Sequence, residues 1–188
     1  GQILSKSCLS ASRLGGVNLH GSILPRHRGA APVQWCLLAG DTMAGVTAIL
    51  MTPKLDSGPA LSIRSTQILP DETAAQLEPR LAQLGVEATL DAVRQLQRWD
   101  AISPIGQIQD GDQATRAPRF EKQHGQLDFR LTADYLVRLI RAVQPWPGAY
   151  ADLQFSPSKQ MRLQIRSARS IDRDLNSSAD FFSESAPP

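Results

Sequence analysis

Alternating and continuous apolar positions predict three strands in the first seventy residues. Residues 17–20 alternate between apolar and polar side chains, which is the period of a strand with one covered face. Residues 46–51 are mostly apolar, and residues 61–68 predict another strand after a turn rich in proline and glycine. The apolar run at 46–51 predicts a strand at the centre of the sheet, because a central strand is covered on both faces.

Helical spacing predicts three helices between and after these strands. Pro32 suits the first position of a helix, where its missing N–H costs nothing, and Gly40 ends the same helix. A long helix is predicted from about residue 73 to residue 99, with Pro79 as an interruption, and another from Thr132 to residue 143. The order strand, helix, strand, strand, helix predicts an α/β fold, part of an open sheet covered by helices.

The second half of the chain has a different character. Glycine and proline recur between residues 100 and 126, which is typical of a linker. Two short strands at 150–155 and 161–165, joined by a turn, predict a small β unit. The predicted division is a first domain at 1–99, a linker at 100–126, a small second domain that starts at 127–170 and a flexible tail at 171–188.

Composition narrows the class of protein. The 188 residues are 41% hydrophobic and 20% charged, with a net charge of +2, which is ordinary for a globular protein. No apolar run reaches the roughly 18–20 residues that a membrane-spanning helix needs, and we expect no membrane partner. Cys8 and Cys36 have neither metal-ligand spacing nor the density of a disulfide scaffold. We therefore expect a reducing cytoplasm of the bacterial type, with an organelle as the alternative. Apart from composition, we expect a monomer.

The first candidate for chemistry is a pair of polar residues on one strand. Asn18 and His20 project from the same face, because side chains alternate along a strand. In open α/β sheets, ligands collect beyond the carboxyl ends of the strands, so an amide and an imidazole there could serve catalysis. Two polar residues at a solvated strand end would show the same pattern.

Asp56 strengthens the catalytic interpretation. It follows the apolar strand 46–51, and we expect it at the carboxyl end of that strand. If the two strands are neighbours, the carboxylate reaches the imidazole of His20 and fixes the ring. An aspartate in an Asp-Ser-Gly sequence is also common in turns that have no catalytic role.

Several motifs follow one another along the chain. They are Asn18-Leu19-His20-Gly21-Ser22-Ile23-Leu24-Pro25, Arg28-Gly29-Ala30-Ala31-Pro32, Gly45-Val46-Thr47, Leu55-Asp56-Ser57-Gly58 and Pro145-Trp146-Pro147-Gly148. In this order they resemble the methionyl-tRNA formyltransferase family over about residues 1–155. The resemblance implies the open, Rossmann-like formyltransferase sheet, with residues 1–99 as the catalytic core. It also implies that residues 127–170 are the start of an OB-like C-terminal domain, an incomplete small β-barrel. It also implies transfer of a formyl group from 10-formyltetrahydrofolate, as co-substrate, to the amine of initiator methionyl-tRNA in translation initiation.

The resemblance also implies roles for individual residues. Asn18, His20 and Asp56 match the catalytic triad of the fold, and the loop Ser22, Ile23, Leu24 and Pro25 matches the folate-binding loop. The chemistry suits these residue types: a tetrahedral oxyanion develops when the amine attacks the formyl carbon, and Asn18 and a protonated His20 can donate to it. The His–Asp pair can move the proton of the amine, and no metal is required.

Basic residues are the candidates for RNA contact. The initiator tRNA is the expected partner, and phosphate contacts with arginine or lysine would make its binding salt-dependent. The candidate residues are Arg28, Arg138, Arg141, Lys159, Arg162 and Arg166. Basic residues on a solvated surface with no RNA role would give the same distribution.

Other interpretations remain open at this level. The same core serves formyltransferases that act on other amines, such as amino sugars or glycinamide ribonucleotide. An inactive RNA-binding remnant is the alternative from another class. By comparison with the family, we expect the chain to be truncated at both ends, so that the isolated chain is weakly active or inactive.

Overall fold

The computed structural model describes residues 4–156 and 159–171. The four α-helices are α1 (Lys6–Leu9), α2 (Pro32–Ala39), α3 (Ala74–Gln97) and α4 (Ala133–Ala142). The strands are β1 (Val17–His20), β2 (Arg28–Gly29), β3 (Met43–Leu50), β4 (Ala60–Gln67), β5 (Arg116–Ala117), β6 (Ala149–Ser156) and β7 (Lys159–Ile165). Single 3-10 turns lie at Gly111–Gln113 and Lys122–Gly125.

Three strands form the main sheet in the order β1-β3-β4. The apolar strand β3 is central, as its composition predicts, and its interior residues from Ala44 to Ile49 are buried. Helix α3 packs on this sheet through one apolar face that includes Leu77, Leu81 and Ala88. The predicted α/β class with an open sheet is confirmed.

The direction of the strands corrects one expectation. Strand β1 runs antiparallel to β3, with Val17 opposite Leu50 and His20 opposite Thr47. The carboxyl end of β3 therefore lies beside the amino end of β1, and the two carboxyl ends do not share an edge. The expectation that Asp56 meets His20 at a common edge of carboxyl ends was wrong, and a different route brings the two residues together.

Local sequence signals set the ends of the helices. Pro32 occupies the first turn of α2, and Gly40 adopts a φ of 78° behind its last residue, where its N–H reaches the carbonyls of Cys36 and Leu37. Thr73 and Gln76 form a reciprocal capping box at the start of α3. Pro79 lies inside α3, within the helix that the sequence places there.

Residues 107–118, which we call the strap, lie along the first half of the chain. Gln107 forms two backbone hydrogen bonds with Ala60, and β5 pairs with β2 in parallel. The amide of Ala31 donates to the carbonyl of Ala117 at 3.1 Å, and the indole of Trp35 donates to Pro118 O at 2.7 Å. This part of the predicted linker is therefore bonded to the loop that follows β1.

Helix α4 and the antiparallel hairpin of β6 and β7 form what we call the C-terminal unit. Helix α4 begins after Thr132, whose side chain accepts from the amide of Tyr135, and packs against α2. The hairpin agrees with the predicted pair of strands, although its turn at 157–158 and the predicted tail from residue 172 onward lie outside the described residues. Within the described part of the chain, every helix is too short or too polar to cross a bilayer.

Candidate active site

Two residues of β1 carry the first part of the candidate site. Asn18 lies opposite Ile49 and His20 opposite Thr47, so both side chains leave the same face of the sheet. His20 is only 5% exposed, and its Nε2 lies 2.8 Å from the backbone carbonyl oxygen of His27. A carbonyl oxygen only accepts hydrogen bonds, so Nε2 carries a proton here and the Nδ1 edge of the ring faces the opposite way.

Asp56 joins these two side chains, as predicted. Its Oδ2 lies 3.6 Å from Nδ1 of His20, and its Oδ1 accepts from Nδ2 of Asn18 at 3.4 Å. The amide of Gly29 donates to Oδ2 at 2.9 Å. We call Asn18, His20 and Asp56 the ledge; the structure brings all three together.

The segment after β3 folds back, and this explains how Asp56 reaches β1. Leu50 donates its amide to the carbonyl of Pro59 at 3.0 Å, which closes a loop over residues 51–58. A Cβ on Gly58 would lie 1.7 Å from the carbonyl oxygen of Leu50, so only glycine fits at this crossing. The loop thereby returns the carboxylate over the face of the sheet, towards the middle of β1.

The strap holds this loop from the outside. Gln109 donates its side-chain amide to the carbonyls of Asp56 at 3.0 Å and Gly58 at 2.7 Å. Its amide oxygen accepts from Nε and Nη2 of Arg28 at 3.2 and 2.7 Å. One glutamine therefore links the loop that carries Asp56 to the segment that donates Gly29.

A small cleft lies beside the ledge, with a volume of about 60 Å³. Asn18, Asp56, Thr52 and Lys54 supply its polar wall. The apolar lining comes from Leu4, Leu9, Ile49, Met51, Pro53 and Leu55. An amide donor and a carboxylate at the wall of an apolar cleft can orient a polar reactant and accept or return a proton.

The predicted folate loop adjoins the ledge and has two kinds of residue. Ser22 and Leu24 are buried: Ser22 Oγ donates to Arg26 O at 2.6 Å, and the amide of Leu24 donates to Thr47 Oγ1 at 3.1 Å. Ile23 and Pro25 are partly exposed. Ser22 and Leu24 therefore fix the loop, and its side-chain surface comes from Ile23 and Pro25.

The predicted RNA contacts are dispersed. Arg28 lies near the ledge, bonded to Gln109. Arg138 and Arg141 of α4 are half-buried and donate from Nε to the carbonyls of Leu38 and Glu72, each at 3.1 Å. These two arginines therefore connect the C-terminal unit to the first half of the chain.

The remaining three basic residues belong to the hairpin and its end. Lys159 lies 6.0 Å from the ring centre of Phe155. Arg162 pairs with Asp152 at 2.8 Å and lies 4.0 Å from the ring centre of Tyr150. Arg166 is exposed and lines a groove of about 450 Å³ together with Asp71, Thr73, Arg141, Ser167, Ala168 and Arg169.

Sequence reasoning missed three contributors to the site. Thr47 is fully buried in β3, where its hydroxyl donates to Ser22 O at 2.7 Å and accepts from the amide of Leu24 at 3.1 Å. A single hydroxyl in an otherwise apolar run was a signal that could have identified it. The amide of Gly29 and the side chain of Gln109 left no such signal, because their partners are remote in the chain.

Known proteins are similar in sequence to most of this chain. The family model described as "Formyl transferase" matches residues 1–93, and the one described as "Formyl transferase, C-terminal domain" matches residues 119–180. Relatives named methionyl-tRNA formyltransferase, from Rhodopirellula baltica and Myxococcus xanthus, are 44% and 43% identical over 90% and 88% of this chain. The chain covers 52% of each of them, so it spans about half their length.

Solved structures show the same fold at low identity. A variant of HypX from Aquifex aeolicus matches 80% of this chain and 26% of its own, with a TM-score of 0.65 and 18% identity. A sugar N-formyltransferase from a Shewanella species matches 83% of this chain and 62% of its own, with a TM-score of 0.62 and 21% identity. With both family models matched in order along its length, the chain belongs to the formyl transferase family.

Proposed function

We propose that this chain contributes the catalytic ledge of an enzyme that transfers a formyl group from 10-formyltetrahydrofolate to the amine of initiator methionyl-tRNA. The observation that carries the proposal is the meeting of an amide, an imidazole and a carboxylate, two of which, Asn18 and Asp56, line a cleft while His20 lies buried behind them. The choice of acceptor rests on the relatives named methionyl-tRNA formyltransferase, at 44% and 43% identity.

The proposed donor is a folate. A HypX structure in complex with tetrahydrofolic acid shares this fold, with a TM-score of 0.59 and 20% identity over 73% of the chain. Ile23 and Pro25 are the partly exposed side chains of the loop next to the ledge, and they supply an apolar surface for a flat ring. The transfer itself needs no metal, since the charge that develops is met by hydrogen-bond donors.

The proposed reaction proceeds through a tetrahedral intermediate. The methionine amine attacks the formyl carbon, the new C–N bond forms, and the carbonyl oxygen becomes an oxyanion that Asn18 Nδ2 stabilises by donating a hydrogen bond. The bond from the formyl carbon to the folate nitrogen then breaks. The amine gives its proton to Nδ1 of His20, whose imidazolium form Asp56 stabilises, and His20 returns that proton to the leaving folate nitrogen, which keeps the charges balanced.

His20 acts through its Nδ1 edge in this mechanism. Its Nε2 is held by the carbonyl of His27 at 2.8 Å, whereas Nδ1 faces Asp56 at 3.6 Å, beyond direct hydrogen-bond distance. A proton on Nδ1 makes the ring an imidazolium, which is stabilised by the carboxylate and available to the oxyanion. The proposal therefore assigns Asp56 two tasks: it orients both neighbours and it stabilises the charged ring.

The proposed RNA-binding surface includes fewer basic residues than the sequence suggested. Arg166 is exposed beside a groove that also holds Arg141 and Arg169, which makes this the basic surface best placed for a phosphate backbone. Replacing Arg166 by Ala should weaken tRNA binding and reduce its salt dependence by about one phosphate contact. A cytoplasmic, monomeric enzyme completes the proposal, and the free thiols Cys8 and Cys36 agree with a reducing compartment.

A second acceptor class has its own support. The Shewanella neighbour is a sugar N-formyltransferase, and the chain covers 62% of it at 21% identity. A nucleotide-linked amino sugar is therefore the alternative acceptor to be tested against methionyl-tRNA.

The experiment uses the chain alone and a graft in which it replaces the aligned segment of the Rhodopirellula baltica relative. Each protein receives 10-formyltetrahydrofolate and either initiator methionyl-tRNA or a nucleotide-linked amino sugar. We expect the graft to formylate the tRNA and not the sugar, and the chain alone to be weakly active or inactive. Exclusive transfer to the sugar would reject the proposed acceptor.

Replacement of His20 by Asn in the graft separates an enzyme from an RNA-binding remnant. An enzyme loses turnover and keeps its affinity for tRNA. A remnant shows no turnover in either form, which would overturn the proposal if circular dichroism shows both grafts folded.

A further inference from the structure

A second cluster of polar side chains lies behind the folate loop, outside the ledge. His27, Cys36 and Asp41 place a ring nitrogen, a thiol sulfur and a carboxylate oxygen within 4.8 Å of one another. His27 and Cys36 are 5% and 4% exposed, and Asp41 is partly buried. Among the described residues, this is the one group of three His, Cys, Asp or Glu side chains with such spacing.

We propose that His27, Cys36 and Asp41 form a binding site for a thiophilic divalent cation of the zinc type. Zinc takes one imidazole nitrogen, one thiolate and one carboxylate readily, with bonds of about 2.0–2.3 Å to such ligands. The nitrogen and oxygen now share a hydrogen bond of 2.6 Å, and a cation between them would replace that bond. The ion takes no part in formyl transfer.

The surroundings of the carboxylate favour this arrangement. Asp41 uses Oδ2 for His27, while its other oxygen, Oδ1, accepts from Nη2 of Arg26. Ligating carboxylates commonly have their free oxygen held by a hydrogen-bond donor, which orients the ligating oxygen. Arg26 therefore holds Oδ1, leaving Oδ2 for the cation, and its charge offsets one of the two negative ligands.

The approach to the site is open. A pocket of about 400 Å³ adjoins the three ligands and supplies room for a water as the fourth ligand. Its remaining lining residues are Ile23, Arg26, Gly40, Thr42, Met43 and Ala44. A cation can thus reach the ligands without unfolding of the chain.

Binding requires a proton to leave Cys36. Burial, with the nearby Asp41 as a further cause, raises the pKa of this thiol to about 12, so the empty site holds the neutral form. A cation that binds sulfur stabilises the thiolate and releases the proton to solvent. The thiol donates to the carbonyl of Met43 at 3.6 Å, and this contact is lost when the proton leaves.

The site is connected to the ledge by a single residue. The side chain of His27 would bind the cation, and its backbone oxygen accepts from Nε2 of His20 at 2.8 Å. A cation that draws the His27 ring towards Cys36 should therefore disturb the imidazole of His20. His124 is the third histidine of the chain, and its Nδ1 accepts from the amide of Glu121 in a separate turn.

The test uses Co²⁺, whose bond to a thiolate gives a charge-transfer absorption band. The protein is the chain with Cys8→Ser, because Cys8 is exposed and is the one other cysteine. We expect the band in this protein, its loss in Cys8→Ser with Cys36→Ser, and at least tenfold weaker Co²⁺ binding in Asp41→Asn. Circular dichroism checks that each variant folds.

Two results with Co²⁺ would overturn the proposal. One is the absence of the band in the folded Cys8→Ser protein at millimolar Co²⁺. The other is a Co²⁺ affinity in folded Asp41→Asn equal to that of its parent. A second readout is the side-chain ¹⁵N resonances during addition of Zn²⁺: His27 and His20 should shift, whereas His124 should not. A shift of His124 with His27 unmoved would place the cation elsewhere and reject the site.

Discussion

The ledge and the hairpin of the C-terminal unit each hold charged side chains, but by different means. Asp56 receives hydrogen bonds from Asn18 on β1 and from the amide of Gly29, and Gln109 of the strap holds the loop that carries it. Asp152 is held by Arg162, its direct partner across the hairpin. The ledge depends on segments far apart in sequence, whereas the hairpin pair depends on two adjacent strands.

This difference predicts where substitutions have effects. A contact assembled from remote segments fixes a side chain inside a packed interior, and its loss disturbs each segment involved. An exposed pair on neighbouring strands is solvated on its outer side, where water replaces the lost partner. Substitutions can test this contrast, from the one with the largest expected effect to the one with the smallest.

The largest effect is expected for Asn18→Ala in the graft. Removing a donor aimed at an oxyanion costs roughly 10²–10³-fold in rate. Single-turnover transfer of formyl to methionyl-tRNA measures the loss, with Arg130→Ala as a control whose pair with Asp128 is local and exposed. A loss of less than twofold for Asn18→Ala would remove the amide from the mechanism.

The next largest effect is expected where the backbone of Gly58 crosses close to that of Leu50, in the loop that carries Asp56. Gly58→Ala places a Cβ against the carbonyl oxygen of Leu50, and forcing a group into packed structure costs about 1–3 kcal/mol. Gly111→Ala is the matched control, because nothing lies within 4 Å of its added Cβ. Urea unfolding of the chain compares the two, and equal midpoints would show that the fold-back is not tight.

A smaller loss is expected when the strap releases the loop. Gln109→Ala removes hydrogen bonds to the carbonyls of Asp56 and Gly58, and we expect about 1 kcal/mol of lost stability. Gln113→Ala, from the same strap, removes one exposed contact with Asp110 and should have little effect. Hydrogen exchange adds a local readout: protection of loop 51–58 should fall only for Gln109→Ala.

The smallest effect is expected at the hairpin. Arg162 lowers the pKa of Asp152 by a hydrogen bond, so the pair contributes only above the ordinary pKa of aspartate and is lost as pH falls through the lowered value. Arg162 is exposed and Asp152 is partly exposed, so water can replace the lost partner, and we expect Arg162→Gln to leave the urea midpoint unchanged at pH 7. A clear shift of the urea midpoint would show that the pair of Arg162 and Asp152 contributes to stability, as the contacts of the ledge do.

The sequence was sufficient to predict the strands and helices whose signals come from neighbouring residues. The alternation at 17–20, the apolar run of β3 and the capping signals of Pro32, Gly40 and Thr132 each arise from contacts within a few residues. Such signals can be read without knowing the tertiary structure. The predicted strands and helices were therefore confirmed in type and in approximate position.

The geometry of the site depended on information that local patterns do not contain. Asp56 was correctly predicted to meet His20, but the expected route through a shared strand edge was wrong, since β1 and β3 are antiparallel. Asp56 reaches His20 because the loop after β3 folds back, and this is possible because Gly58 crosses close to the backbone of Leu50. Backbone partners such as the carbonyls bonded by Arg138 and Arg141 are equally invisible in a sequence, and the catalytic and RNA roles stay predictions.

The strap has a consequence for exchanging modules between members of the family. Its residues belong structurally to the first half of the chain, because Gln107 is hydrogen-bonded to Ala60 and Gln109 to the loop that carries Asp56. A chimaera joined at residue 100 would bring a foreign strap to the native loop and misalign it. A crossover placed after Pro118 would exchange the C-terminal unit and leave the ledge with its own strap.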